Sequence, residues 1–372
     1  MPLPPTGVVL LNLGGPQNLA AVQPFLLRLF ADREIIQLPW QSVLGPLLAR
    51  ARTRQVQANY QAIGGGSPIL HWTQTQGAGM TQWLDELSPH TAPHKFYVAF
   101  RYAPPFSEEA LLQMQADGVR RAIAFTQYPQ FSCSTTGSSL NELWRAVRRL
   151  GLENTFQWSL IDRWPTQPLF IEAMAESVRR GLAQFPAEEQ SSVLLMFSAH
   201  SLPLDVINRG DPYPQEIGAS VQAVMERLGF SHEYLLCYQS AVGPVQWLGP
   251  STEQMIKDLG RLKRRNVLVV PIAFTSDHIE TLSEIDLEYG ELAHRVGIAR
   301  FKRAPALNGE PLFQRALAEL VAEHLQSGAI YSKQYPLRCP GCANPQCRAV
   351  INPALPELDP SVTADFTSET YA

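Results

Sequence analysis

Val267-Leu268-Val269-Val270-Pro271-Ile272-Ala273-Phe274 runs without a polar break straight into Thr275-Ser276-Asp277-His278-Ile279-Glu280. A continuous apolar run of this length, rich in valine, predicts a strand buried on both faces. Such strands belong to parallel sheets covered by helices. The abrupt polar end matters because ligands of open α/β sheets bind in the crevice beyond the carboxyl ends of the strands. Two other apolar runs end alike, Phe125-Thr126-Gln127 and Phe197-Ser198-Ala199-His200.

Working outward, strands are predicted over residues 7–12, 95–101, 122–127, 193–198, 234–239 and 267–274. Helical periodicity covers residues 20–30, 138–149, 169–182, 215–228 and 312–325. Strand–helix alternation predicts an α/β protein with parallel sheets. At 372 residues the chain has about twice the usual single-domain size, so two domains are expected, with residues 151–165 as the crossover between them. Arg101, Tyr102, Tyr128, His200, Ser240 and His278 all fall at predicted strand ends, where one cleft could collect them.

Hydrophobic residues make up 45% and charged residues 17%, which suits a compact globular protein and argues against disorder. The formal net charge of -4 argues against nucleic acid as a partner. No apolar run reaches the ~18 residues of a membrane span. The segment from Met1 to Thr6 has no basic stretch followed by an apolar one, as a signal peptide would. The expected location is cytoplasmic, or that of a processed form which has lost a leader.

Gly14-Gly15-Pro16 and Gly64-Gly65-Gly66-Ser67-Pro68 match neither dinucleotide nor P-loop spacing, and Pro16 lacks a donor N–H. They read as tight turns or close backbone approaches. An imidazole at His200 could accept a proton near neutral pH. Glu280, Glu284 and Glu288 stand four apart, so a helix places them on one face, where each like-charged pair costs about 0.2–0.5 kcal/mol. Such a row is a solvated acidic face or a path for a divalent cation or for protons. Phe25, Leu26, Leu29, Phe30, Leu38 and Trp40, followed by Arg50, Arg52 and Arg54, are either plain core or an apolar lip with a basic edge, suited to a membrane or a greasy anionic ligand. Cys339, Cys342 and Cys347 form C-x2-C-x4-C, a metal signal because thiolates are soft ligands. Zinc is the default metal. An iron–sulfur cluster needs a distant fourth thiol from Cys133 or Cys237.

Taken together, the sequence resembles the ferrochelatase family, in the animal-type form that carries a [2Fe-2S] cluster. The resemblance rests on Leu11-Asn12-Leu13-Gly14-Gly15-Pro16, on the segment from Tyr128 to Gly137, on Phe197 to Pro203, on Asn208 to Glu216 and on Phe274 to Glu280. It implies two Rossmann-like, chelatase-type domains with a cleft between them. Residues 1–155 form the first, with an apolar active-site lip, and residues 156–328 the second. Residues 329–372 are an extension holding cluster ligands. The implied activity is insertion of ferrous iron, as substrate, into protoporphyrin IX to give protohaem, the last step of haem biosynthesis. The alternatives are a coproporphyrin III ferrochelatase and a non-catalytic tetrapyrrole carrier.

By the same resemblance, His200 and Glu280 are catalytic, with His278, Glu284 and Glu288 on a metal or proton path. Leu13, Leu29, Arg52, Tyr60 and Ser67 bind porphyrin from the first domain, together with Arg101 and Tyr102. Ser240 and Trp247 line the cleft from the second. Cys133 joins Cys339, Cys342 and Cys347 as cluster ligand, which leaves Cys237 as a buried thiol. A homodimer is implied, with peripheral contact of the lip at an inner membrane. That membrane is the mitochondrial one, on its matrix side, if a leader has been removed.

Overall fold

The computed structural model describes residues 4–36, 38–342, 344 and 347. Val8, Val9, Leu10 and Leu11 have no room for solvent on either side. They form the middle of β1 (Thr6–Asn12), which pairs in parallel with β2 (His94–Phe100) and β3 (Arg121–Thr126). β3 pairs with β4 (Gln157–Ile161), so the first sheet has the order β2-β1-β3-β4. Leu10 stands opposite Val98 on one side and Phe125 on the other.

The second sheet repeats this plan. β5 (Leu194–His200) pairs with β6 (Tyr234–Gln239) and β7 (Asn266–Pro271), and β7 with β8 (Arg300–Arg303). The order is β6-β5-β7-β8, again all parallel. In each sheet the chain leaves the central pair in opposite directions. Each therefore has a switch point, between β1 and β3 and between β5 and β7, where a crevice opens at the carboxyl ends.

One apolar core joins the two halves. Val8, Leu10 and Phe125 of the first sheet share it with Phe197, Leu268 and Val270 of the second. Helices Ile69–Leu87, Pro168–Leu182 and Pro311–Ser327 supply the layer between, and the last of these packs on the first. Separate cores cover the outer faces of the sheets. A fourth cluster forms the lip, where Val22, Leu26, Ala49 and Tyr60 pack with Ile279. The glycine-rich stretches meet each other there. A Cβ on Gly15 would lie 2.6 Å from Ser67, and one on Gly66 would lie 2.2 Å from the Gln17 carbonyl oxygen.

Residues 151–165, expected as a crossover, contain β4, because Trp158, Leu160 and Ile161 have an apolar surface to bury against β3. β8 carries no apolar run and is a strand through its pairing with β7. β7 stops at Pro271, where the Phe274 N–H turns back to the Pro271 carbonyl. β5 extends through His200 itself. The long helix Gln41–Ala62 escapes the periodic pattern because it contains Pro46 and buries few residues.

Truncating Leu10 to Ala would leave a cavity at the centre of the first sheet. The expected loss is about 2–5 kcal/mol, read from the urea unfolding midpoint. A change below about 1 kcal/mol would contradict the burial argument.

Candidate active site

The carboxyl end of β5 presents His200, and the segment after β7 presents His278 and Glu280. Nδ1 of His200 faces the Ser201 carbonyl, and Nδ1 of His278 faces the Ser276 carbonyl at 2.9 Å. A carbonyl only accepts, so each Nδ1 donates a proton and each Nε2 is turned to other partners; His278 donates from Nε2 as well, to Glu280 Oε2, as an imidazolium does. For both rings that partner is Glu280. His200 Nε2 lies 3.6 Å from Oε1 and His278 Nε2 lies 3.2 Å from Oε2. Glu280 is thus held between two imidazoles from adjacent strand ends.

Electrostatics follow from that arrangement. Burial alone would push the Glu280 carboxyl up. The charge of His200 and the hydrogen bond from His278 outweigh it and hold the group at about 2. Burial would push His278 down, but Glu280 raises it above the usual imidazole range. Glu284 is pushed up by burial and by the Glu280 charge, against hydrogen bonds that stabilise its ionised form. Those come from Ser240 N–H at 2.9 Å, Gln239 Nε2 at 3.0 Å, Tyr289 OH at 2.9 Å and the Ser240 hydroxyl. Ser240 reaches Glu284 from a left-handed backbone (φ 65°), a strained conformation of the kind that gathers at functional sites.

The acidic row lies on a π-helix, Glu280–Tyr289, a form seen mostly as short bulges near functional sites. Along it Glu280 and Glu284 are half-buried and Glu288 is exposed, so the row leads outward. Glu288 accepts from Ser283 and, at 3.3 Å, from Asn59 of the lip helix Gln41–Ala62. The back of the π-helix is clamped by Arg303 at the end of β8. Arg303 holds both oxygens of Asp286 at 2.7 and 2.8 Å and lies 3.0 Å from Asp277. Asn308 fixes Asp277 further, donating to Oδ2 and accepting its N–H, each at 2.8 Å.

The first half reaches the same carboxylate. Tyr60 and Tyr128 are pushed up by burial and by the Glu280 charge; in the second half Tyr213 is pushed up by burial, by Tyr238 and by the Glu280 charge. These phenols come from the lip helix, the end of β3 and the start of helix Tyr213–Arg227. The Leu13 N–H donates to Tyr128 OH at 2.6 Å, and that hydroxyl donates to Asn12 at 2.9 Å. Leu13 and Leu29 are half-buried, Arg52 is exposed on the lip helix, and the Ser67 N–H donates to the Pro16 carbonyl. The Trp247 loop runs beside the segment after His200 through a Pro203–Trp247 bridge.

Arg101 and Tyr102 are engaged elsewhere. Arg101 pairs with Asp32 at 2.6 Å and Glu142 at 3.3 Å, and Tyr102 donates to the same Asp32. Together they anchor the end of helix Val22–Ala31 and line a recess of about 710 Å³ with Arg28, Phe106 and Arg145.

Among the described residues no three His, Cys, Asp or Glu side chains are grouped as for a single metal ion. The cysteine segments nonetheless approach one turn, where Cys133 N–H meets Asp211 and Gly341 N–H meets the Arg209 carbonyl. Cys133 is pushed up by burial and by the nearby charges of Asp211 and Cys339, and Cys342 is hydrogen-bonded with Cys347. Cys237 is fully buried in the second core.

Residues 5–325 match the family model described as Ferrochelatase. "Ferrochelatase, mitochondrial" of Xenopus laevis is 56% identical over 345 residues, 92% of this chain and 84% of that one. The protein of the same description from Homo sapiens is 56% identical over 346 residues, 93% of this chain and 82% of that one. That from Schizosaccharomyces pombe is 48% identical over 349 residues, 94% and 82% respectively.

Replacing Glu280 with Gln removes the charge common to these shifts. Both His278 and Glu284 should then titrate at lower pH. His278 falls because burial is left to act on it with less opposition, and Glu284 because one cause of its elevation is gone. Side-chain NMR titration measures both, and an unmoved value for either contradicts the arrangement.

Proposed function

This chain belongs to the ferrochelatase family and is a metal chelatase that inserts ferrous iron into protoporphyrin IX, and we propose that it does so between His200 and Glu280. The observation that carries this reading is the open pairing of the two groups. They stand 3.6 Å apart, too far for a closed hydrogen bond, and their side chains are 36% and 29% exposed, so a ligand can reach both.

Insertion requires two pyrrole N–H protons to leave and the nitrogen lone pairs to meet the metal. His200 has its Nδ1–H committed to the Ser201 carbonyl, which leaves Nε2 as the acceptor of a pyrrole proton. The imidazolium so formed faces a carboxylate that is ionised throughout the physiological range, and Glu280 stabilises that charge. Glu284 and Glu288 continue from Glu280 to solvent and carry charge between the cleft and water. Arg303 and Asn308 hold that row in register. The apolar side chains of the lip, with Leu13 and Leu29, suit the face of a macrocycle, and Arg52 suits a carboxylate at its edge.

The exposed apolar edge of the lip supports peripheral membrane contact. Trp40 is 82%, Val43 58% and Leu47 53% exposed on one helix and its cap. No helix among the described residues is long and apolar enough to cross a membrane. The expectation of a cytoplasmic chain finds no support in the relatives, which are named mitochondrial. A homodimer is part of the same proposal.

Cys133, Cys339, Cys342 and Cys347 would hold a [2Fe-2S] cluster. Four thiols are the donor set such a group takes, and the Gly341 N–H bond to the Arg209 carbonyl and the Cys133 N–H bond to Asp211 bring the two cysteine segments to one turn. When bound, it would cross-link the C-terminal segment to the body of the protein.

His200→Ala should abolish iron insertion while protoporphyrin still binds, and near-normal turnover would remove His200 from the mechanism. The purified protein should be coloured before porphyrin is added, and Cys133→Ser should lose that colour. Bound zinc without iron or sulfide would overturn the cluster assignment.

A further inference from the structure

Two cysteine-bearing segments, remote in sequence, grip the same short turn. From one side, the Cys133 N–H and the Ser132 hydroxyl both donate to Asp211 Oδ2, at 2.7 and 3.1 Å. From the other, the Gly341 N–H donates to the Arg209 carbonyl at 2.9 Å. The fit there is tight enough that a Cβ on Gly210 would lie 2.6 Å from Pro340. Asp211 is 1% exposed, and its second oxygen accepts the Tyr213 N–H at 3.0 Å. A carboxylate buried this deeply is tolerable because donors surround it, so loss of one is felt by the rest.

Tyr213 leads from this turn to the cleft. Its hydroxyl donates to the His200 carbonyl at 3.0 Å. His200 ends β5, and its ring is oriented by the carbonyl of the next residue, Ser201. The phenol therefore holds the peptide from which the imidazole projects. The same helix accepts the cysteine loop a second time, where Glu216 takes the Phe131 N–H at 2.7 Å.

We propose that Asp211 and Tyr213 are positioning residues that couple the cysteine segments to the orientation of His200. The inference rests on the reading above, in which His200 accepts the pyrrole proton and the thiols hold the cluster. Its physical content is one buried chain of hydrogen bonds, from the Cys133 backbone through Asp211 and Tyr213 to the His200 backbone. Displacement of the thiol segments then reaches the imidazole without any chemistry passing through the cluster.

The test uses the full-length protein. Tyr213→Phe keeps the ring and deletes only the donor. It should lower kcat for iron insertion by up to about tenfold, the scale of one supporting hydrogen bond. The porphyrin KM, the visible absorption of the cysteine site and its iron and sulfide content should be unchanged. A merely structural role would not lower kcat at constant KM in folded, fully loaded protein. Asp211→Asn should lower both the cysteine-site absorption and kcat. If that variant does not fold, Ser132→Ala, which removes one donor to Asp211, should move the same two readouts in the same direction. Wild-type kcat for Tyr213→Phe overturns the proposal, as does a change at Asp211 or Ser132 that moves one readout without the other. An inactive His200→Ala beside a wild-type Tyr213→Phe overturns the coupling alone. Near-normal His200→Ala overturns the proton role itself.

Discussion

Glu280 keeps its negative charge between two imidazoles, and most of the site is arranged around that charge. His200 approaches from β5 and His278 from the segment after β7. Tyr60, Tyr128 and Tyr213 feel the same charge from three further elements. A half-buried carboxylate held at about 2 cannot be neutralised by protonation near pH 7, so its surroundings must accommodate an anion. They do so with basic rings, and the next acid in the row, Glu284, is pushed up by burial and by that charge. A cleft built in this way favours a ligand that delivers positive charge, whether as a metal ion or as protons leaving a tetrapyrrole.

The fold explains why such distant residues meet. Two four-stranded parallel sheets with the same strand order each open a crevice between their central strands. The shared core and the helix layer place the two carboxyl edges at one cleft. Asn12, Leu13 and Tyr128 come from the first crevice, His200 and Glu280 from the second. The lip cluster, which includes Tyr60, packs with Ile279, the residue between His278 and Glu280. The exposed apolar edge of the lip and the Glu280 carboxylate are therefore neighbours in the fold.

The central strands were legible because burial on both faces leaves an uninterrupted apolar run, as in β1 and β7. β8 was not, because Arg300, Lys302 and Arg303 owe their strand conformation to pairing with β7 and not to their own hydrophobicity. The four-residue spacing of Glu280, Glu284 and Glu288 was readable as one helical face. That the helix is a π-helix was not, nor were its bonds to Arg303, which arrives from elsewhere in the chain. His200 stood out by its place at a strand end. Asp211 and Tyr213 carry no local pattern, and their bonds reach residues 13 to 79 positions away. Nothing in the sequence announces the ion pair of Arg101 with Asp32.

The central claim is that this cleft metallates a porphyrin and does not merely hold one. The direct measurement is anaerobic incubation of the purified protein with excess ferrous iron and protoporphyrin IX, followed by absorbance over many turnovers. The expected result is loss of the free-porphyrin bands and growth of the haem spectrum well beyond one equivalent per protein. Protoporphyrin that binds at one equivalent and stays unmetallated would contradict the account and mark the protein as a carrier.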